Sequence, residues 1–364
     1  MELELLYKPD WEKTKDNFNH WWARKNFGRC AISIKAPRNK PLCEKIPVLP
    51  EKTEDRWLDT GFLKENMDYH LGATYFAGEA IPVWSAGYPG WDFIPAYLGC
   101  DVKLVETTGW HSHIYEKGEL TDYSPEDIAI DENNKWFKFA LEIHKMAVEE
   151  AKGKSIPGIQ AIGGVGDCLA TLRSNSKLLL DLYDCPEQVK KLEMRMMDIW
   201  IEVFERFRDI TCGGAEGNTN FMQLWSPGKY YTCANDFAYM ISPKMFEEFY
   251  LDPLQKQIDY LDHSIYHVDG IGNFNHLDIL CGIKKLNAIQ FLPGAGKPSP
   301  LHYAEELKQI QNAGKNLHIS IPANEVKQAL EMLSSKGLFI DTWCGSESEA
   351  DELLECAKKL SKWY

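Results

Sequence analysis

In the stretch Tyr266-His267-Val268-Asp269-Gly270, an imidazole and a carboxylate stand two positions apart. On a β-strand, residues i and i+2 project to the same side, so His267 and Asp269 can face one space. Cys344, in Thr342-Trp343-Cys344-Gly345, lies 75 residues beyond Asp269 at the end of another apolar run. Imidazole, carboxylate and thiolate are all competent zinc ligands, and three protein ligands with an open fourth position describe a catalytic zinc. Other chemistry is open to the same residues. His-x-Asp also makes a metal-free hydrogen-bonded pair, Asp-Gly also makes a turn, and a lone cysteine also serves as a small buried hydrophobe. An aspartate ligand further admits a harder, oxygen-preferring ion.

A second constellation is aromatic. Trp84, Tyr88, Trp91 and Trp110 surround one apolar run, Trp225, Tyr230 and Tyr231 accompany another, and Trp343 precedes Cys344. Aromatic walls with few charges suit an apolar, methylated or aromatic ligand, so Trp84, Trp225, Tyr230 and Trp343, with Gln290, are the expected substrate-binding residues. The competing reading is that these rings pack loops onto the scaffold. Asp236, in Asn235-Asp236-Phe237, is the candidate general acid or base, with His267 as its catalytic companion. Its alternative role is that of a loop residue that caps the helix begun by Ser242-Pro243, where serine reads as an N-cap with proline at N1. Glu79, His111, His113, Asp167 and His318 are further polar candidates. Pro293-Gly294-Ala295-Gly296 lacks the Lys-Ser/Thr ending of a phosphate loop and reads as a tight turn that lets backbone approach a ligand. No HExxH, GxSxG or kinase signature occurs.

The elements that must position these groups alternate. Strand-like runs are expected at Ala31–Lys35, Ala80–Trp84, Gly158–Ile162, Asn220–Trp225, Ser264–Asp269, Ala288–Leu292, Leu317–Ile321 and Leu338–Thr342. Helical periodicity separates most of them. It is clearest over 187–209, where Val189, Leu192, Met196, Ile199, Val203 and Phe207 form one apolar face. Further helices are expected over Glu325–Ser334 and Glu347–Leu360. Alternation implies a parallel sheet, and eight units imply a single (β/α)8 TIM barrel over 1–364, with 1–60 as an N-terminal extension and edge elements. A dinucleotide-binding open sheet is disfavoured because no GxGxxG follows the first strand. In a barrel, active sites lie at the C-terminal strand ends, where His267, Asp269, Gln290 and Cys344 fall.

Bulk properties bound the partners. A net charge of −14 argues against nucleic acid or an anionic membrane as the main partner. No apolar run reaches the roughly 18 residues of a membrane span, and the charged start MELELLYKPDWEKTKDNF lacks a signal-peptide core. Ten cysteines without a CxxC pair fit a cytoplasmic protein without a disulfide framework.

Three stretches carry a family likeness: GIQAIGGVGDCLATLR at 158–173, NDFAYMISPKMFEEFYLDPL at 235–254 and SIYHVDGIGNFNHLDILCGIKKLNAIQFLPGAGKP at 264–298. Together they make residues 60–364 resemble the uroporphyrinogen decarboxylase-like superfamily. The haem-pathway decarboxylase is the poorer match, since its arginine-bearing substrate motif is missing after Pro82-Val83-Trp84. The corrinoid-linked methyltransferase branch fits better. There a His-x-Cys pair and a later cysteine bind zinc, which the resemblance carries over to His267 and Cys344, with Asp269 standing where the family has cysteine. The resemblance implies methyl transfer between a small methylated substrate, such as a methoxylated aromatic or methylamine-type compound, and a corrinoid (cobalamin) borne by a separate protein. It implies zinc at His267, Asp269 and Cys344. Activation of a leaving oxygen makes the direction demethylation of a donor, activation of a thiol acceptor makes it methylation of that thiol, and aspartate in place of cysteine favours the first. The alternative is a metal-free decarboxylase or lyase acting on a small carboxylic acid, with Asp236 moving the proton.

Overall fold

The computed structural model describes residues 4–85, 93–213 and 216–363; Tyr88 and Trp91 lie outside the described residues. The chain is a mixed α/β fold around a seven-stranded sheet. Its spatial order is Thr74–Gly78, Ala31–Pro37, Leu338–Trp343, Asn316–Ser320, Ala288–Leu292, His263–Asp269 and Tyr230–Ala234. All neighbours are parallel except the first pair, where Thr74–Gly78 runs antiparallel to Ala31–Pro37. The sheet is covered on one side by helices, and there Ile34, Ile319 and Ile340 are fully buried in the main apolar cluster. On the other side the register aligns polar side chains: His267 pairs with Gln290, Gln290 with His318, Ser33 with Asp341 and Lys35 with Trp343.

Four of the eight expected strands occupy their places in this sheet with shifts of a residue at the ends, over 263–269, 288–292, 316–320 and 338–343, as does the first over 31–37. The remaining three do not. The strand expected at Asn220–Trp225 is two short antiparallel pieces, Asn218–Thr219 and Trp225–Ser226, around a turn in which Gln223 has φ +54°. The strand that pairs with His263–Asp269 is Tyr230–Ala234 instead. The runs expected at Ala80–Trp84 and Gly158–Ile162 reduce to Val83–Trp84 and Ile156–Pro157, paired in parallel only with each other. Thr74–Gly78 was not expected as a strand at all.

The hydrogen-bonded strands among the described residues therefore do not close into one eight-stranded parallel sheet. Side chains and single backbone bonds span the gap. The Ile159 N–H donates to Thr219 O at 2.9 Å. The Asn218 amide binds both backbone groups of Tyr230, at 2.7 and 3.0 Å. The Tyr231 hydroxyl donates to Gln160 O and accepts from Ile162 N. On the other flank, the buried Glu79 carboxylate accepts from Ile32 N and from Arg29, so this candidate is committed to holding the strands. Asparagine and tyrosine here supply the ladder bonds that short or interrupted strands leave unmade.

The N-terminal ends of the strands are sealed by helix Trp11–Trp22. Trp11 meets Trp225 edge to face at 5.6 Å, and Phe18 stacks on Phe339 at 5.9 Å. The Trp22 indole N–H donates to Trp225 O at 2.9 Å. Thus residues 1–60 hold both this floor and an inner strand, Ala31–Pro37, not only an edge extension. The long periodic helix runs over Pro186–Cys212, and the last helix over Glu347–Leu360. No helix among the described residues is long and apolar enough to cross a membrane.

Candidate functional site

Asp269, Leu292 and Trp343 end their parallel strands at one rim, and Asp236 follows Ala234 at the same rim. Two cavities open there. The larger, about 570 Å³, is lined by Trp110, His111, His113, Asp167, Asp236 and Met240 among others. The smaller, about 350 Å³, is lined by Asp236, Tyr239, Asp269, Gly270, Gly294 and Lys297. Asp236 is common to both. The Pro293–Gly296 turn borders the smaller cavity, and Gly294 has φ +93°, a conformation that an L side chain rarely adopts. Gly272 lets the Tyr239 ring lie against the backbone: a Cβ there would stand 2.4 Å from the ring and displace it.

Asp236 does not serve as a cap. Its side chain makes no capping bond to the turn it opens, and helix Pro243–Phe249 is capped by Ser242, whose hydroxyl accepts the Met245 N–H. Asp236 is exposed to both cavities, and partial desolvation by the surrounding protein raises its pKa above the usual carboxylate value. The nearby His267 opposes that shift and the nearby Asp269 adds to it. The three side chains thus form one electrostatic group. His267 is held by a short hydrogen bond from Nδ1 to the side-chain oxygen of the buried Gln290. That bond fixes the orientation of the ring beside Asp236. Such a set can take up, hold and release a proton beside a bound ligand.

Deeper between the strands, His318 is 3% exposed, and burial drops its pKa to about 4, so the ring is neutral. Among the described residues, neither of its nitrogens has a hydrogen-bond partner. Asp341 accepts from Ser33 at 2.7 Å and pairs with Lys35 at 3.5 Å on the same side of the sheet. Lys35 and Asp341 escaped the sequence reading, although each is a charge inside an otherwise apolar strand, which is a readable signal. His111 and His113 belong to the rim of the larger cavity. Burial lowers the His111 pKa to about 4, and His113 Nδ1 bonds Thr171 O at 2.6 Å.

Of the expected residues, the structure brings Asp236, His267, Asp269 and Gln290 together, with Trp343 exposed at the rim. It does not bring in the others. Cys344 follows Trp343 on the opposite side of its strand. It is 3% exposed, packs in the helix-facing cluster with Ala350, and burial raises its pKa. Among the described residues, no three His, Cys, Asp or Glu side chains stand close enough together to hold a metal ion. Trp84 is fully buried against Leu63, Ile143 and Ala147. Trp225 and Tyr230 lie in the floor with Trp11 and Trp22. The reason is the misplaced fourth strand. Tyr230 begins its strand and Trp225 precedes it, so both stand at the N-terminal end and not at the mouth.

No family model matches this chain, and no curated protein matches it in sequence. Among solved structures it is similar to a methyltransferase from Methanosarcina mazei, with a TM-score of 0.56 and 13% identity. The likeness covers 95% of this chain and 98% of that one, so the two share a fold over nearly their whole lengths.

Proposed function

We propose that this chain is a methyltransferase built on an imperfectly closed (β/α)8-type barrel. It moves a methyl group between a small methylated substrate and a corrinoid carried by a separate protein. The observation that carries the reading is the group Asp236, His267 and Asp269, set between two cavities at the C-terminal strand ends. The fold shared with a methyltransferase supports it. A corrinoid fits the rim by the character of its surface: Tyr239, Met240, Leu292 and Trp343 present exposed apolar side chains around the mouth. When bound, the corrinoid supplies the strong nucleophile that no side chain here provides.

The chain's own residues bind the donor and manage its proton. The larger cavity takes the substrate between Trp110 and Met240. Asp236, which holds its proton more firmly than an ordinary carboxyl, donates to the oxygen or nitrogen that loses the methyl group. His267, oriented by Gln290, and Asp269 tune that proton. No step of this reading runs through zinc, because the donors expected for it do not fit one ion: Cys344 lies in the helix-facing core while His267 and Asp269 face the mouth.

The test mixes the purified chain with cob(I)alamin and a panel of methoxylated aromatics and methylamines. Loss of cob(I)alamin absorbance that requires both protein and donor supports the reading. Turnover without cobalamin, or carbon dioxide release from a small acid, would replace it with the decarboxylase or lyase alternative. Elemental analysis of the same sample measures zinc independently.

A further inference from the structure

Behind the wall of the larger cavity lies a set of polar side chains that the scheme above leaves unused. Glu193 sits on the apolar stripe of helix Pro186–Cys212, beside Leu192 and Met196, and is 1% exposed. One carboxyl oxygen accepts the Gly166 N–H at 3.1 Å, and the other has no hydrogen-bond partner among the described residues. Among the described residues, the titratable groups facing it are Asp167, from the start of helix Asp167–Arg173, and Tyr250, from the segment leading into helix Leu251–Tyr260. Neither is a cation. A carboxylate without water or counter-charge is costly, so the neutral acid is favoured. Burial, partly opposed by the Gly166 N–H and reinforced by Asp167, raises the Glu193 pKa to about 8.

Asp167 connects this buried acid to the cavity. It opens helix Asp167–Arg173, is 8% exposed, and lines the larger cavity. Its Oδ1 accepts the Phe237 N–H at 3.0 Å, which ties it to the residue after Asp236. Gly166 makes the approach possible. It has φ +85°, and a Cβ there would stand 2.6 Å from the Asn235 side-chain oxygen. Beside the two acids, the fully buried Tyr250 hydroxyl has no hydrogen-bond partner among the described residues and feels both Glu193 and Asp167. Tyr266, also buried, faces Asp167 and Asp236.

We propose that Glu193 stores a proton behind the cavity wall and passes it by way of Asp167 to Asp236, the acid that protonates the departing oxygen in the cavity. The chemistry rests on the methyl-transfer reading. When a methyl group leaves an ether oxygen as a formal cation for the corrinoid's nucleophile, the C–O bond breaks and its electron pair stays on oxygen. Asp236 protonates that oxygen; Glu193 then gives its proton to the Asp167 carboxylate, which hands it through the shared cavity to the Asp236 carboxylate, and water reloads Glu193 after product leaves. Glu193 is a positioning residue in this scheme, since it acts through Asp167.

Infrared spectroscopy of the whole chain, with Glu193→Gln and Asp167→Asn, tests the store directly. The expected result is a protonated-carboxyl band at pH 7 that Glu193→Gln removes and that titrates away with a midpoint near pH 8. Asp167→Asn moves that midpoint down, because the like charge is gone. A missing band, a band untouched by Glu193→Gln, or a midpoint indifferent to Asp167→Asn overturns the proposal. With cob(I)alamin and a methoxylated aromatic, Glu193→Gln slows turnover by about 10²-fold and abolishes the alkaline limb of the pH–rate profile. An unchanged rate and profile overturn the relay. A chain that demethylates no donor, yet keeps the band and its coupling to Asp167, counts against the methyl-transfer reading and leaves the store standing.

Discussion

At the N-terminal ends of the strands, Trp11, Phe18, Trp21, Trp22 and Trp225 interlock and exclude solvent. At the C-terminal ends, Trp110, Tyr239 and Trp343 stand more than half exposed around two cavities, with carboxyls and an imidazole among them. The two ends use the same side chains for opposite purposes. Floor rings find ring partners and a helix that covers them; mouth rings stand among charges that must stay solvated. Aromatic content alone therefore does not mark a ligand site. What marks it is aromatic content beside polar groups whose partners are incomplete.

The comparison breaks first at Asp236. Asp236→Asn should lower turnover by about 10²–10⁴-fold, as loss of a general acid or base does, with the fold intact by circular dichroism. Its stability should move the other way. The native pKa of Asp236 is raised above its unfolded value, so the native state binds the proton more tightly. That contribution is complete below the unfolded pKa and is lost as pH rises through the native one. Relative to Asp236→Asn, the wild-type protein should lose melting temperature between acid and neutral pH. A wild-type protein that gains on the variant over that range would show the carboxylate to be stabilised in place.

Substitution in the floor should do the reverse. Trp225→Ala removes a ring that is 2% exposed and packed on Trp11 and Phe18, and should cost about 3–5 kcal/mol in urea unfolding. The folded fraction should keep the native KM. A raised KM at full stability would return Trp225 to the substrate site.

The sequence made the site's centre legible because period-two spacing is local. His267 and Asp269 share a side on any strand, and Gln290 reaches His267 once the neighbouring strand is in register. Asp236 was legible as a loop acid, and Ser242-Pro243 as the cap that frees it. Cys344 was not legible, because one residue decides the side of a strand. Its spacing from Asp269 is compatible with the mouth, but Trp343 pairs with Lys35 and takes that side. Glu193 lies beside Leu192 and Met196 on the periodic helix, and helical spacing does not by itself tell a buried acid from one at the edge of the apolar face. The sheet failed to be legible where asparagine and tyrosine side chains replace strand pairing, as at Asn218 and Tyr231. Such bonds have no period.

Cys344→Ala sharpens the distinction between mouth and core. The thiol is buried among apolar groups, so its loss should cost about 1 kcal/mol, the ordinary size for a small core deletion. Turnover should stay within about twofold, since a substitution outside the mouth leaves binding and proton transfer in place. Loss of activity together with loss of bound zinc would restore Cys344 to the site and require the last strand to turn.

The smallest stability effect is expected at Trp343, and it tests the comparison with one residue type. Trp343 is 54% exposed, so Trp343→Ala forfeits little burial and should change unfolding free energy by less than about 0.5 kcal/mol. At the floor the same substitution in Trp225 removes several times more. Yet an exposed tryptophan at the rim, near Leu292 and Asp269 at the ends of their strands, is the kind of anchor that dominates association. Trp343→Ala should therefore raise the concentration of cobalamin or corrinoid protein needed for half-maximal turnover, with kcat at saturation little changed. Unaltered half-saturation would leave Trp343 as an exposed ring without a partner and move the docking surface to Tyr239 and Met240, which border the cavities on the other side of Asp236.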